Sequence, residues 1–264
     1  MANIQPNFEN MTFKTYAADG AYFGQLRPSF VDELYEVGTT AFENEVSDRP
    51  RIQIAHMMGS RDEFYDRLTN PGAAMEAGKL NAGQAFARPT VSVAFADFDK
   101  DTAKIVGYAT SADNVSGRNK LERQAKQIMG TKNYRWLKTV VVLPEYQGQQ
   151  IGTALSVAAL ASATKRQPAS AYTWPSEGVA GTKLVERLGM QKTGSQEVDV
   201  FGSPNGPTSQ HRYAAPNAQD LLEKLVKRQA PSFALRLGRL AAYSYSDIKR
   251  AEADSLAFIA SHQK

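Results

Sequence analysis

The chain has 264 residues, of which 42% are apolar and 22% charged, with a formal net charge of +4. That balance excludes disordered and collagen-like classes and suits one large domain or two small ones; it favours anionic ligands without the basic excess of a nucleic-acid-binding domain. With no cysteine there is no disulfide, thiolate metal site or cysteine nucleophile, and the three histidines, His56, His211 and His262, lie too far apart for metal-ligand spacing. No metal is expected.

Residues 1–28 have no strong period. Ser29, with Asp32 three residues on, caps a predicted helix with Leu34, Val37, Ala41 and Phe42 on one face. Ser60-Arg61-Asp62-Glu63 reads as a capping box leading into Phe64, Tyr65 and Leu68, and Asn70-Pro71-Gly72 stops that helix. Thr90 to Phe95 and Ala103 to Ala109 read as two strands of a hairpin across the polar turn 97–101. Residues 111–135 read as a polar insertion with a short helix at Lys120 to Met129.

Trp136 to Val142 is the most strand-like run, ended by Leu143-Pro144. Gly148 to Lys165 then reads as a helix with Ile151, Leu155 and Ala158 on one face. Ala171 to Trp174 is a short strand, Val179 to Leu188 a short helix, and Gly189 its C-cap. Met190 to Phe201 and His211 to Ala214 are closing strands around the turn 202–207. Residues 217–264 read as helical, with Leu221, Leu222, Leu225 and Val226 in one stripe. The order predicts a mixed α/β (α+β) domain over 1–215 and a helical extension over 216–264 packed on it. The first residues do not read as a signal peptide, and the longest small-apolar stretch, Val157 to Ala161, is far short of a membrane span, so the expected compartment is the cytoplasm.

The segment Val140 to Leu155 carries the chemistry. A strand stops at Pro144, and a Gln/Gly loop opens a helix. Such a loop aims successive backbone N–H groups at one spot, where the helix dipole adds about +0.5 of a charge. This is an anion site suited to a pyrophosphate, and its glycines admit a phosphate close to the backbone. It is neither a P-loop nor the dinucleotide fingerprint, since no Gly-Lys-Ser/Thr follows and no Gly-x-Gly spacing is present.

The same stretch resembles the acetyl-CoA motif of the GCN5-related N-acetyltransferases (GNAT superfamily). Val142-Leu143-Pro144 matches the strand end, and Gln147, Ile151 and Gly152 match the loop and helix start. About thirty residues on, Gly181-Thr182-Lys183-Leu184-Val185-Glu186-Arg187-Leu188-Gly189-Met190 resembles the family's Gly-x-x-Leu-Tyr-x-x-Leu-Gly-Phe. The strong resemblance spans about 136–194, extends more weakly over 30–214, and leaves 215–264 uncovered. It implies a GNAT-like fold: a central, mostly antiparallel mixed sheet flanked by helices. It also implies acetyl-CoA as co-substrate and transfer of its acetyl group to an amine by direct attack in a ternary complex. On this resemblance Val140 to Val142 splays from the next strand and pairs with the pantetheine arm. The N–H near Val142 polarises the thioester, and Gln147, Gly148, Gln149, Gln150, Ile151, Gly152 and Thr153 wrap the pyrophosphate. The expected acceptor is a small-molecule amine, with peptide N-termini or lysines as the alternative, no nucleic-acid or membrane partner, and a monomer or homodimer as the assembly. Two residues depart from the family. Gln150 replaces the first motif glycine, at a cost of roughly 1–2 kcal/mol if left-handed. Val185 replaces a tyrosine that protonates the leaving thiolate, so the general acid is unassigned. A module that binds CoA or acyl-CoA with little catalysis is the alternative.

Tyr172, Glu197, Asp199 and His211 are candidates for proton transfer or acceptor contact, each set against an ordinary strand role, and Trp174 joins Tyr172 as a stacking candidate. Arg118, Lys120, Arg123, Lys126, Lys132 and Arg135 give the insertion a basic excess, as a solvated loop or as a lid over an anionic group.

Overall fold

The structure is a computed structural model, and it describes residues 11–17, 29–45, 58–69, 87–96, 103–113, 135–161, 169–173, 180–198, 208–215 and 217–227. Seven strands form one sheet: β1 (Met11–Ala17), β2 (Ala87–Ala96), β3 (Lys104–Asp113), β4 (Arg135–Val142), β5 (Ala169–Thr173), β6 (Gln191–Val198) and β7 (Thr208–Ala215), in the order β1-β2-β3-β4-β5-β7-β6. Neighbours are antiparallel except β4 and β5, which run parallel because a helix connects them. The helices are α1 (Phe30–Glu45), α2 (Arg61–Thr69), α3 (Ile151–Ala161), α4 (Ala180–Leu188) and α5 (Ala218–Lys227).

Two apolar layers sandwich the sheet. On one face Leu34, Val37 and Ala41 of α1 and Phe64 and Leu68 of α2 pack against Val91, Val93, Phe95, Ile105, Tyr108 and Val141. On the other, α3 covers Ala94, Ala96, Val106, Ala109 and Leu137, and α4 and α5 pack against α3. Within β2 the alternation of Ala94 and Ala96 against Val93 and Phe95 follows the two-residue period of a strand. Leu221, Leu222 and Leu225 share the α3 layer, so the start of the C-terminal extension belongs to the domain core.

The helix starts follow their local chemistry. Ser60 and Glu63 form the reciprocal capping box, with Ser60 N–H to Glu63 Oε2 at 2.9 Å and Glu63 N–H to Ser60 Oγ at 3.1 Å. At α1 the Ser29 hydroxyl bonds Glu33, one residue beyond the expected Asp32. Gly189, at φ 90°, ends α4 with its N–H on Glu186 O and Met190 N–H on Val185 O, the paired bonds of a Schellman cap.

Several expectations need correction. Met11–Ala17 is a strand, though 1–28 showed no strong period; Thr15 and Phe13 seat it on β2. Helix α3 starts at Ile151, because Gly148 (φ 76°) and Gln150 (φ 61°) are left-handed and interrupt the turn before it. It is also buried all round, not on one face, since the sheet covers one side and α4 and α5 the other. β3 runs on to Asp113, β4 begins at Arg135, and β5 occupies 169–173. Arg135 is therefore no lid residue. It is 2% exposed and donates to Thr90 Oγ1 and, at 2.9 Å, to Ser111 Oγ. The rest of the insertion, together with Trp174, Asp199, His56, His262 and residues 228–264, lies outside the described residues.

Candidate cofactor and acceptor site

The site begins with a fault in the sheet. Among the described residues β4 and β5 pair only at Arg135↔Ala169, Trp136↔Ser170 and Leu137↔Ala171, yet β4 continues to Val142. On its other edge, Thr139 pairs with Thr110 and Leu137 with Ser111, which leaves Lys138 as an extra residue, a β-bulge. The bulge coincides with the end of the β4–β5 ladder. It also flips the strand's parity. Leu137 faces the α3 layer, but Val141, an even number of residues later, faces α1, while Val140 and Val142 turn to α3. Beyond the bulge, β4 diverges from β5 and opens a wedge.

Opposite, Gly107 lets β3 approach the free part of β4. A Cβ there would sit 2.6 Å from Val141 O and 3.2 Å from Val142 Cα. Leu143 N–H bonds Val106 O, and Pro144–Tyr146 form a single 3-10 turn. The loop after it is held by its own side chains. Gln147 Nε2 donates to Val142 O at 3.0 Å, and Gln149 Nε2 to Glu145 O at 3.4 Å. Lys104 pairs with Glu145 at 3.0 Å and lies over the Tyr146 ring. A backbone hydrogen bond foremost, and then Lys104, hold the Glu145 carboxyl below its ordinary range.

The first α3 bond runs from Ala154 N–H to Gln150 O. The N–H groups of Ile151, Gly152 and Thr153 thus have no intrahelical acceptor and point out of the helix start. Gly152 sits over the wedge, and a Cβ there would lie 3.8 Å from Val140 Cγ1, Val142 Cγ2 and Leu184 Cδ2. The expected cofactor residues Val140, Val142 and Gln147 to Thr153 are therefore contiguous in space: a free strand edge, a self-tied loop and a helix start. The arrangement can hydrogen-bond an extended chain along β4 and an anion at the end of that chain.

The proton-transfer candidates are more scattered. Ser195 pairs with His211 across β6 and β7, with Oγ 3.1 Å from Nδ1, and Glu197 lies two residues beyond Ser195. Strand alternation puts His211 on the face of Tyr213, which enters the α3 layer and donates to Glu186 Oε1 at 2.9 Å. Glu197 and His211 therefore gather on the α4 side. Tyr172 is the register partner of Arg212 on β7. Val185 is 4% exposed and packed in the core. One turn before it, the Thr182 hydroxyl is buried without a partner among the described residues.

Sequence reasoning misassigned one buried arginine, Arg135, and missed another, Arg212. Arg135 adjoined a strongly basic stretch and so read as part of it. Arg212 adjoined His211, and its only signal was Gly194, a glycine inside a strand. Among the described residues no cluster of His, Asp and Glu could hold a metal ion, and no helix is long and apolar enough to cross a membrane.

Residues 61–190 match the family model described as Acetyltransferase (GNAT) family. A search of curated proteins returns no match. Among solved structures, the chain is similar to NAA60 of Arabidopsis thaliana in complex with a bisubstrate analogue (11% identity, 77% of this chain and 97% of that one, TM-score 0.48). It is also similar to the PaiA N-acetyltransferase of Thermoplasma acidophilum in complex with coenzyme A (13%, 77% and 99%, TM-score 0.42). A third is the ribosomal-protein-S18-alanine N-acetyltransferase of Escherichia coli (13%, 78% and 94%, TM-score 0.43).

Proposed function

Since residues 61–190 form a domain of the GNAT acetyltransferase family, which transfers an acetyl group from acetyl-CoA to an amine, we propose that this chain acetylates a small-molecule amine. One observation carries the assignment of its cofactor residues: the unpaired end of β4 leads straight into a helix start whose free N–H groups and Gly152 converge on the same strand. In this reading the pantetheine arm lies along Lys138 to Val142 as a surrogate strand. The pyrophosphate rests on the N–H groups of Gln150 to Thr153, where the helix dipole favours negative charge. Gln147 and Gln149 act through the loop, because their amides already bond Val142 O and Glu145 O.

The acceptor enters from the wedge and attacks the thioester carbonyl, whose developing charge is stabilised by a β4 N–H that faces away from β3. The new C–N bond forms as the C–S bond breaks, and the amine's surplus proton passes to solvent or a nearby base. A thiolate of pKa about 8.5 departs readily near neutrality. Val185 has no proton to give. We assign the hydrogen bond to the departing sulfur to Thr182, whose buried hydroxyl has no other partner among the described residues and lies one helical turn from Val185.

The same substitution supports a second reading, a CoA-binding module with little turnover. Calorimetric titration with acetyl-CoA and CoA, followed by thiol release across an amine panel, separates the two. Micromolar binding with turnover supports the transferase, binding without turnover supports the module, and no binding up to millimolar refutes both. The variant Gly152→Asp is expected to fold, because the added Cβ meets only ordinary contacts. It is expected to lose acetyl-CoA affinity by at least a hundredfold, by placing a carboxylate against the phosphates. Unchanged affinity would remove Gly152 from the site.

A further inference from the structure

Arg212 lies on β7 and is nine-tenths buried, 9% exposed. Its Nε donates to Thr193 Oγ1 at 3.0 Å and its Nη2 to Thr193 O at 3.2 Å. These bonds use two of the five guanidinium donors. It has no carboxylate partner among the described residues. Glu186 and Glu197 are on the opposite face, one bonded to Tyr213 and the other following the alternation of Ser195 and His211. A guanidinium taken so far out of water without a countercharge is costly, because the Coulombic return that normally offsets desolvation is missing.

The sheet has been shaped to hold it. β6 carries a bulge between Lys192 and Gly194, so that Thr193 turns its hydroxyl and carbonyl to the guanidinium. Gly194 leaves room for it: a Cβ there would lie 3.2 Å from Nη2 and 3.8 Å from Cζ. The position in the sheet is equally specific. Arg212 pairs with Tyr172, the first β5 residue beyond the last rung to β4. The Arg212 backbone therefore stands beside the wedge, about two strand spacings, or ~10 Å, from the free β4 edge, and its guanidinium leans from there toward Thr193 and Gly194 on β6.

We propose that Arg212 recognises an anionic group on the acceptor, so that the amine substrate carries a carboxylate or phosphate on the order of 10 Å from the nitrogen that is acetylated. The proposal rests on the transferase reading above and specifies its substrate class. The spacing disfavours the α-amine of a free amino acid, whose carboxylate is one carbon away. It fits a side-chain amine with a distant carboxylate, or an aminosugar phosphate.

The test uses the full chain with acetyl-CoA and matched acceptors: Nα-blocked lysine against its methyl amide, and glucosamine 6-phosphate against glucosamine. The expected result is turnover at least tenfold more efficient, in kcat/KM, for an anionic member than for its neutral partner, with the two pairs separating carboxylate from phosphate. Arg212→Met is expected to raise KM for that anionic acceptor about 10- to 100-fold, with kcat and acetyl-CoA affinity little changed, and Arg212→Lys to recover part of the loss. Equal use of charged and neutral partners by the wild-type chain, which needs no variant, would overturn the proposal. So would binding of acetyl-CoA with turnover of no anionic acceptor, or a loss in Arg212→Met that falls alike on both members of a pair. Failure to bind acetyl-CoA would instead remove the transferase reading on which the proposal stands.

Discussion

Gln150 is the only non-glycine residue with positive φ among the described residues, at φ 61°. In that conformation Cβ crowds the following carbonyl, at roughly 1–2 kcal/mol. Replacing Gln150 with glycine removes the crowding but adds unfolded-state freedom, which offsets about 0.5–1 kcal/mol. The net expectation is a gain of about 0.5–1 kcal/mol, or a rise in Tm of about 1–4 °C for a chain of this size. Gln150→Ala is the control, since it removes the side chain and keeps the crowding, and it should leave stability within about 0.5 kcal/mol of the parent. Because the backbone N–H survives in both, acetyl-CoA affinity should stay within a few fold. Urea unfolding of the three proteins, with calorimetric titration of each, reads both quantities. Glycine no more stable than alanine would refute the strain argument. A shared tenfold loss of affinity would show that the Gln150 side chain itself holds the ligand.

Gly107→Ala should cost about 2–3 kcal/mol and weaken acetyl-CoA binding, because the new Cβ meets strand backbone at 2.6 Å; native stability by urea unfolding would contradict the close approach of β3 and β4. Thr182→Val should leave stability unchanged or slightly higher while kcat falls about tenfold or more at constant acetyl-CoA KM, and an unaltered kcat would end its assigned role. Burial foremost, then the bond to Glu186, raises the Tyr213 phenol above its ordinary 10.0. The folded state then keeps a proton that the unfolded chain releases, so stability falls as pH climbs past 10. Tyr213→Phe should flatten that alkaline slope, at a cost near 1 kcal/mol at neutral pH; an identical slope would show that other groups set it.

What could be read from the sequence was whatever rests on local chemistry. The Ser60–Glu63 box, the Gly189 cap and the Val142-Leu143-Pro144 strand end each depend on a few adjacent residues, and each is found in the structure. What escaped depends on partners distant in sequence. Met11–Ala17 is held as a strand by pairing to β2 some eighty residues later, and its own mixed composition announces little. The all-round burial of α3 follows from α5, which arrives after β7. Arg135 read as one more cation of a basic stretch until Thr90 and Ser111 closed around it. Bulges are the hardest to foresee. Nothing in Leu137-Lys138-Thr139 reveals that the strand changes parity there, because that is a property of the register with β3.

The short β4–β5 ladder has a consequence for the cohesion of the molecule. Among the described residues three pairs stitch β1–β4 to β5–β7–β6 within the sheet, and the rest of that joint is left to the helices. A ligand seated in the gap completes the joint like mortar between two courses of brick. Its binding energy therefore adds to the cohesion of both halves, at RT ln(1 + [L]/Kd), or about 2.7 kcal/mol at a hundredfold excess over Kd. The β4 amide protons beyond Leu137 that face away from β3, and those of the β5 end that face them, should accordingly slow together when the gap is filled.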